Sequence, residues 1–438
     1  MSLPFFDRSA VILGKFVSII SRWFNLGAGA TWPGEITLML RPQIASKLAF
    51  QLCKGAIFVA GTNGKTTTSL MIKKILESSE LRVVHNASGA NLLNGIVSAF
   101  INQASWRGRV SADWGIFEVD ENSLPRILTE FKVQSSKFKV IVVLLNLFRD
   151  QLDRYGEVDV IIEKWGKALK TLPKETTVIL NSDDPGVAHL GKNLKSRVSY
   201  FGLNDKNLFL KGVEHATDST FCLNCGNRLT YEGVYYSHIG IWCCERCGEK
   251  RPNPTLSSWQ SPLPGLYNQY NTLAAALTAI ALGLSREAIK KAFQGFLPAF
   301  GRQEEFSVAG RGVKLFLSKN PAGFNASLRT ILEEEAQTLL VVLNDRIPDG
   351  RDVSWIWDVD FEMVPRGTKI FVCGDRVYDM ALRLKYAQAT DDLIIEPDLA
   401  KAVSLAVETT PKSKTLFILP TYSAMLEVRK ILIGRKIL

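Results

Sequence analysis

Short, almost wholly apolar runs alternate along most of this chain with stretches whose apolar residues recur every three or four positions. AIFVA (56–60), WGIFEV (114–119), KVIVVLLNLF (139–148) and TTVILN (176–181) are runs of the first kind. Their length and their β-branched and aromatic content predict strands buried on both faces. SLMIKKILESS (69–79) and the Ala-rich NQYNTLAAALTAIALGL (268–284) carry the longer period and predict helices. Strands alternating with helices predict an α/β fold with a doubly wound, mostly parallel sheet. From about residue 303 a second α/β unit begins, with strands expected at VKLFLS, TLLVVLN, KIFVCG, DLIIE and TLFILP.

Two regions depart from this rhythm. Residues 205–255 are rich in turn residues, cysteines and short polar–aromatic runs, and read as a small inserted module. At the other departure, SAVILGKFVSIISRWFNLG, Ile12, Leu13, Phe16, Ile20, Trp23 and Phe24 fall on one face of a helix. That face is expected to pack on its own domain, a membrane-surface helix being the alternative. Lys15 and Arg22 interrupt the run, no small-residue cleavage site follows it, and no apolar run is long enough to span a bilayer. TWPGEITLMLRP (31–42), bounded by Pro and Gly, reads as a linker.

Composition changes the picture in two places. The 438 residues, 46% apolar and 22% charged, are enough for two or three cores and show no disordered tract. A net charge of +10 suits an anionic partner: nucleic acid, an anionic membrane or a phosphorylated substrate. Five of the seven cysteines lie between 222 and 247, which in a reducing cytoplasm reads as metal ligation.

The first chemistry lies in AIFVAGTNGKTTT. A glycine-containing loop between a buried strand and a helix turns backbone N–H groups toward an anion. Gly61, Thr62, Asn63, Gly64, Lys65, Thr66 and Thr67 form the candidate nucleotide loop. Lys65 would reach the terminal phosphates and the Thr66 hydroxyl would ligate Mg²⁺. Val59 stands where the common P-loop has its first glycine, so this is a shorter form, GTNGKTT. In FCLNCGNRL and WCCERCG, Cys222, Cys225, Cys244 and Cys247 give two C-x₂-C pairs with eighteen residues between them. Four thiolates fit a closed, structural Zn²⁺ site, with Cys243 an alternative to Cys244. Zinc ribbons also serve nucleic-acid proteins, but no aromatic–basic interleaving accompanies this one, so nucleic acid is not the expected partner.

AGTNGKTTT resembles the ATP loop of the Mur ligases, and further pieces follow in that family's order. FEVDE (117–121) is similar to the strand end whose Glu holds Mg²⁺, which points to Glu118. NLFRDQLDRYG (146–156) resembles the N-x-x-x-D-H-L-D-R-x-G segment. LNSDDP (180–185) resembles the adenosine-contacting turn, implying Asn181 and Asp183. GLYNQYNTLAAA (265–276) and FGRQEEF (300–306) resemble the motifs that imply Asn268, Asn271 and Arg302 at the nucleotide. The resemblance implies an N-terminal helix and linker over 1–49. It further implies a Mur-ligase central ATP-binding domain over 50–300, with the ribbon inserted at about 205–255, and a Rossmann-like C-terminal domain over 301–438. Gln151, Tyr267 and LSKNPAG (317–323) depart from it, standing where Mur ligases have His, His and an Asp/His loop. No lysine falls clearly at the family's carbamylation site, Lys164 and Lys167 being the nearest.

Over almost its whole length, ribbon included, the chain resembles one Mur-like family, the MurT subunits of lipid II isoglutaminyl synthase (MurT–GatD). KNPAGFNASL (319–328) and DGRDVSW (349–355) carry that resemblance. It implies ATP-dependent activation, with Mg²⁺, of the D-Glu α-carboxylate in the lipid II stem peptide. Amidation would follow with ammonia from a glutamine amidotransferase partner in a heterodimer, in the cytoplasm at the inner face of the membrane. A stand-alone Mur or folylpolyglutamate-type amino-acid ligase is the alternative. Lys319 becomes a candidate contact for phosphate or the anionic stem peptide. In NDRIPDGRDVSWIWDVDFE (344–362), Asp352 is the position the resemblance implies as the aspartate that orients the partner's catalytic His. Asp345 and Asp349 are read as shaping a turn that precedes the burial of Trp355 and Trp357.

Overall fold

The computed structural model describes residues 3–23, 30–86, 90–131, 138–150, 157–212, 214–298 and 301–434. Its first sheet contains β1 (Gly55–Ala60), β2 (Val83–His85), β3 (Trp114–Val119), β4 (Lys139–Leu144), β5 (Thr177–Asn181) and β6 (Arg197–Phe201). They lie in the order β2-β3-β1-β4-β5-β6, and every pairing is parallel. Burial on both faces follows from the strand alternation. Ala56, Phe58 and Ala60 of β1 join the core under helices Leu93–Gln103, Leu124–Glu130 and Val158–Leu169. Ile57 and Val59 join the core under Lys65–Ser78, Leu266–Ala281 and Arg286–Phe293. Because β1 lies between β3 and β4, the chain reverses its winding direction there. Beyond the carboxyl ends of the strands, such a switch point opens a crevice.

The inserted module is a two-stranded antiparallel ribbon, β7 (Thr230–Tyr236) and β8 (Ile239–Cys243). A second sheet follows: β9 (Arg302–Val308), β10 (Arg311–Phe316), β11 (Thr338–Val342), β12 (Lys369–Cys373), β13 (Leu393–Ile395) and β14 (Thr415–Pro420). Its order is β13-β12-β11-β14-β10-β9, parallel except for the β9–β10 hairpin at one edge.

Three sequence expectations are corrected here. The segment read as a linker forms the helix Trp32–Leu40, which Pro33 opens from within its first turn, where a missing N–H costs nothing. The helix Phe5–Trp23 does pack on this domain, but not through the expected face. Val11, Gly14 and Ser18 point inward, whereas Leu13, Phe16, Ile20 and Trp23 are exposed; Phe24 lies outside the described residues. Close crossing of neighbouring helices selects the small side chains for the contact. Finally, Trp355 is half-buried against Phe324, while Trp357 is exposed at the surface beside Tyr386.

Candidate active site

The loop 61–64 emerges from β1 at the switch point and turns into the helix Lys65–Ser78 at Gly64. Gly64 has φ +90, and a Cβ there would sit 2.1 Å from Asn271 Oδ1. Glycine is thus required both by conformation and by space. Asn146, at the end of β4, fixes the loop from the neighbouring strand. Its Oδ1 accepts the Asn63 N–H at 2.9 Å and its Nδ2 donates to the Asn63 carbonyl at 3.1 Å. Lys65 folds back onto the loop, donating to the Gly61 carbonyl at 2.5 Å and to Glu121 at 3.0 Å.

Glu118 ends β3 beside this loop and accepts the Thr66 hydroxyl. Asn86 holds the Glu118 backbone from both sides, accepting its N–H and donating to its carbonyl, each at 2.9 Å. Burial raises the Glu118 carboxyl above the usual carboxylate range, against the Thr66 hydrogen bond and the charges of Arg302, Lys65 and Lys319. A buried carboxylate beside a hydroxyl at a phosphate loop is a hard-oxygen pair suited to Mg²⁺, which takes such ligands and keeps several waters. Lys164 and Lys167 lie on the surface of the helix Val158–Leu169, bonded to Asn122 and Glu163. Gln151 is outside the described residues.

A groove of about 680 Å³ opens over the loop between the two sheets. Asn63, Gly64, Thr67, Asn268, Asn271 and Arg302 line it, bringing six of the residues expected at the nucleotide together. Tyr267, standing at the family's His position, faces it with its hydroxyl bonded by Gln303 at 2.6 Å. Tyr236 reaches the groove from the ribbon, a lining residue that motif reading missed. Asn146 and Glu121 were also missed as members of the site, although both stand inside motifs quoted for other residues.

Asn181 and Asp183 differ from the expectation. Both are fully buried and engaged internally. Asn181 donates to the Leu145 carbonyl at 2.9 Å and accepts the Asp183 N–H at 3.0 Å. The Asp183 carboxylate gathers Tyr270 OH at 2.7 Å, Arg251 Nε at 2.6 Å and the Leu203 N–H at 2.8 Å. Asp183 ties the inserted module to this sheet through Arg251 and the Gly240 N–H, Asn181 bonds only locally, and neither is among the residues lining the groove. A short turn sequence does not distinguish the two placements.

In the ribbon, Sγ of Cys222 lies 3.6 Å from that of Cys247, and Sγ of Cys225 lies 3.5 Å from that of Cys244. All four sulfurs lie within 4.8 Å of one another. A tetrahedral ion with metal–sulfur bonds of about 2.3 Å needs sulfur–sulfur edges of about 3.8 Å, so the set fits Zn²⁺. Gly226 and Gly248, both left-handed, close matching turns after each C-x₂-C pair. There the N–H of Gly226 bonds the Cys222 carbonyl at 2.8 Å, and that of Gly248 bonds the Cys244 carbonyl at 2.9 Å. Cys243 points away to Thr230, which decides between the two neighbours in favour of Cys244.

A second cleft, of about 510 Å³, adjoins the groove. Arg149, Asp150, Lys319, Asn320, Asp352 and Asp358 are among its lining residues. Lys319 pairs with Asp150, and Asn320 exchanges side-chain amide bonds with Asn63 at 3.1 and 3.3 Å. The segment 317–323 thus contributes to both cavities, Leu317, Ala322 and Gly323 to the groove and Lys319, Asn320 and Pro321 to the cleft. Of the acids in 344–362, Asp349 is buried and accepts the N–H and hydroxyl of Ser423. Asp345 pairs with Arg376, Asp358 with Arg149, Asp360 with His215 and Glu362 with Arg383. Asp352 is exposed, and among the described residues its carboxylate accepts only from Ser354, whose N–H lies 2.8 Å away. That bond holds its carboxyl below the usual range, so it stays ionised.

The Mur ligase middle domain family matches residues 59–279, and the MurT ligase C-terminal family matches residues 317–425. The lipid II isoglutaminyl synthase (glutamine-hydrolyzing) subunit MurT of Staphylococcus aureus (strain COL) is 34% identical over 422 residues, covering 91% of this chain and 92% of that one. The subunit of the same name from Streptococcus pneumoniae is 33% identical over 435 residues, covering 94% of each. Among solved structures, a pseudomurein peptide ligase type C from Methanothermus fervidus overlays with a TM-score of 0.64 at 22% identity, covering 89% of this chain and 80% of that one. Mycobacterium tuberculosis folylpolyglutamate synthase complexed with ADP gives 0.59 at 15% identity, covering 90% and 94%. These two similarities show the fold. The sequence matches, which run through the loop, the ribbon and the Asp352 segment alike, show the family: this chain belongs to the MurT family of Mur ligase-like proteins.

Proposed function

We propose that this chain uses ATP to activate the α-carboxylate of D-Glu in the stem peptide of lipid II, and that ammonia from a glutaminase subunit converts it to D-isoglutamine. The observation that carries the reading is that one segment, 317–323, lines both the groove over the phosphate loop and the cleft holding Asp352, with Asn320 bonded to Asn63 of that loop.

A carboxylate is a poor electrophile, so its oxygen must first become a leaving group. It attacks the γ-phosphorus of ATP and ADP departs, leaving an acyl phosphate. Loop N–H groups and Lys65, exchanging its Gly61 and Glu121 contacts for phosphate, offset the charge during transfer. Thr66 and Glu118 would hold Mg²⁺, which when bound neutralises phosphate charge. Asn268, Asn271 and Arg302 line the nucleotide groove. Lys319 steadies the anionic acyl phosphate or stem peptide from the second cleft. Ammonia then attacks the acyl carbon, phosphate leaves, and the nitrogen loses a proton to give the amide.

The ammonia comes from a partner. Among this chain's lone cysteines, Cys373 is buried and its thiol is pushed up to about 11 by that burial, the reverse of an activated nucleophile. Asp352, ionised and uncommitted at the rim of the second cleft, accepts the N–H of the partner's catalytic imidazole and fixes its tautomer. The reaction takes place in the cytoplasm at the inner membrane face, where a lipid-linked substrate is met.

The test is amidation of lipid II by the reconstituted pair, driven either by glutamine or by ammonium. Asp352→Asn should lower the glutamine-driven rate by about 10³–10⁴-fold and leave the ammonium-driven rate and zinc content unchanged. An unaffected glutamine-driven rate would remove Asp352 from the triad. Absence of product at high ammonium with the wild-type chain would overturn the ligase reading itself.

A further inference from the structure

The helix Phe5–Trp23 is built inside out. It contacts the domain through Asp7, Ala10, Val11, Gly14, Ser18 and Ser21. Outward stand Phe16 and Ile20, each 51% exposed, and Trp23 at 87%. The inward contacts are close because the side chains are small. A Cβ on Gly14 would already carry a neighbour at 2.6 Å, Thr37 Oγ1; one on Gly34 would lie 1.8 Å from the Asn94 carbonyl oxygen. Ser18 donates to Asn102 Oδ1 at 2.6 Å, and Ser98 accepts the Gly34 N–H at 2.8 Å. Small residues and hydroxyl bonds at the helix crossings, with large apolar groups outside, are the packing found where the surroundings are themselves apolar.

The apolar face continues beyond this helix and is bordered by positive charge. The Phe16 ring lies 5.4 Å from that of Trp106, and Lys15 sits 5.7 Å over the same Trp106 ring. Arg107 and Arg109 are exposed on either side of Gly108, where a Cβ would be 3.8 Å from Arg8 Cγ. The acids of residues 1–52 are Asp7 and Glu35. Asp7 is buried between Lys47 at 2.6 Å and Arg41 at 3.0 Å, and Glu35 accepts from Asn94 at 2.8 Å. No described helix is long and apolar enough to cross a membrane. Apolar side chains on one helix face and a basic border, with Asp7 paired to two cations, together select an anionic surface with an apolar interior.

We propose that this face rests on an anionic lipid bilayer, with the helix Phe5–Trp23 lying along the interface. The docking deepens the functional reading above and rests on it for its purpose, since it would hold the active site near a lipid-linked substrate. Its test does not depend on catalysis. The full chain is floated with vesicles of phosphatidylglycerol and phosphatidylcholine, or of phosphatidylcholine alone. Wild type should float with the anionic vesicles, less so at high salt. Phe16→Ser/Ile20→Ser, which alters exposed positions only, should bind at least about tenfold more weakly with an unchanged melting temperature. Ammonium-driven amidation of a water-soluble muropeptide should be equal in both proteins. Equal flotation of wild type and variant would overturn the proposal. So would no flotation at all, or no flotation together with a wild-type dimer that the double substitution dissolves. Flotation as expected with no amidation would overturn the function and leave the docking intact.

Discussion

Gly64→Ala tests whether the phosphate loop and the Asn268–Asn271 helix form one unit. The new methyl group would sit 2.1 Å from Asn271 Oδ1 and 3.3 Å from Leu145 Cδ1, at a residue with φ +90. Holding a non-glycine residue in left-handed conformation costs about 1–2 kcal/mol. Asn271 must also move, and it is buried with two bonds, from Thr68 Oγ1 at 3.3 Å and to Asn268 Oδ1 at 3.1 Å. Each such bond contributes about 1 kcal/mol net, so the combined cost is about 3–4 kcal/mol. For a domain of this size that is a fall in melting temperature of roughly 10 °C. Because Asn268 and Asn271 line the groove, ATP affinity measured by calorimetry should fall at least about tenfold. Asn271→Ala supplies the control: it removes the obstacle while losing the same two bonds. The double variant should therefore cost about 2 kcal/mol less than the sum of the single ones. Additive costs, or a Gly64→Ala protein with wild-type melting and affinity, would refute the reasoning.

Three other outcomes are expected. Burial raises the Glu118 carboxyl, so its stabilising protonated form is present below the unfolded value of about 4.3 and is lost as pH rises. Glu118→Gln should accordingly melt higher than wild type at pH 8, with the gap closing near pH 4, and should lose the extra stability wild type gains from Mg²⁺ and ATP; a lower melting point at pH 8 would contradict this. Wild type should carry one zinc per chain; Cys247→Ser should lose it and, because the ribbon carries Tyr236 into the groove and is strapped to Asp183, weaken nucleotide binding as well. Metal loss by elemental analysis with unchanged ATP affinity would separate ribbon from groove. Asp349→Ala should cost about 2–4 kcal/mol by stranding the buried Ser423 N–H and hydroxyl, whereas Asp352→Ala should melt within about a degree of wild type; equal losses in the two thermal scans would count against the different placements.

The central strands were legible because burial on both faces leaves an apolar run with no alternation to mistake. β2, with three residues, and β9, with the edge sequence RQEEFSV, carry no such run and could not be told from loop. The helix Trp32–Leu40 was hidden by its own Pro33 and Gly34, residues that elsewhere mark turns but here open a helix and admit the Asn94 backbone. The phosphate loop and the four cysteines were legible because their chemistry is local: neighbouring residues supply the geometry. Periodicity identified the helix Phe5–Trp23 but assigned its faces the wrong way round, because hydrophobicity alone does not say which side of a helix can approach another closely.

The acids of 344–362 show why local pattern stops short of function. In sequence they are equivalent carboxylates, and nothing within the segment separates Asp352 from Asp349 or Asp358. Their partners come from elsewhere in the chain: Arg149 after β4, His215 before the ribbon, Arg383 on the helix Val377–Tyr386 and Ser423 on the helix Tyr422–Ile433. Folding satisfies those carboxylates and leaves Asp352 ionised at the rim of a cleft. On the proposed reading, its missing partner is an imidazole on another chain. Ammonia released there would meet a cleft lined by Lys319 and Asn320, and Asn320 is bonded to the phosphate loop through Asn63. On the same reading the acyl phosphate forms over the phosphate loop, so the segment 317–323 would border both the cleft that completes the glutaminase and the groove that takes ATP.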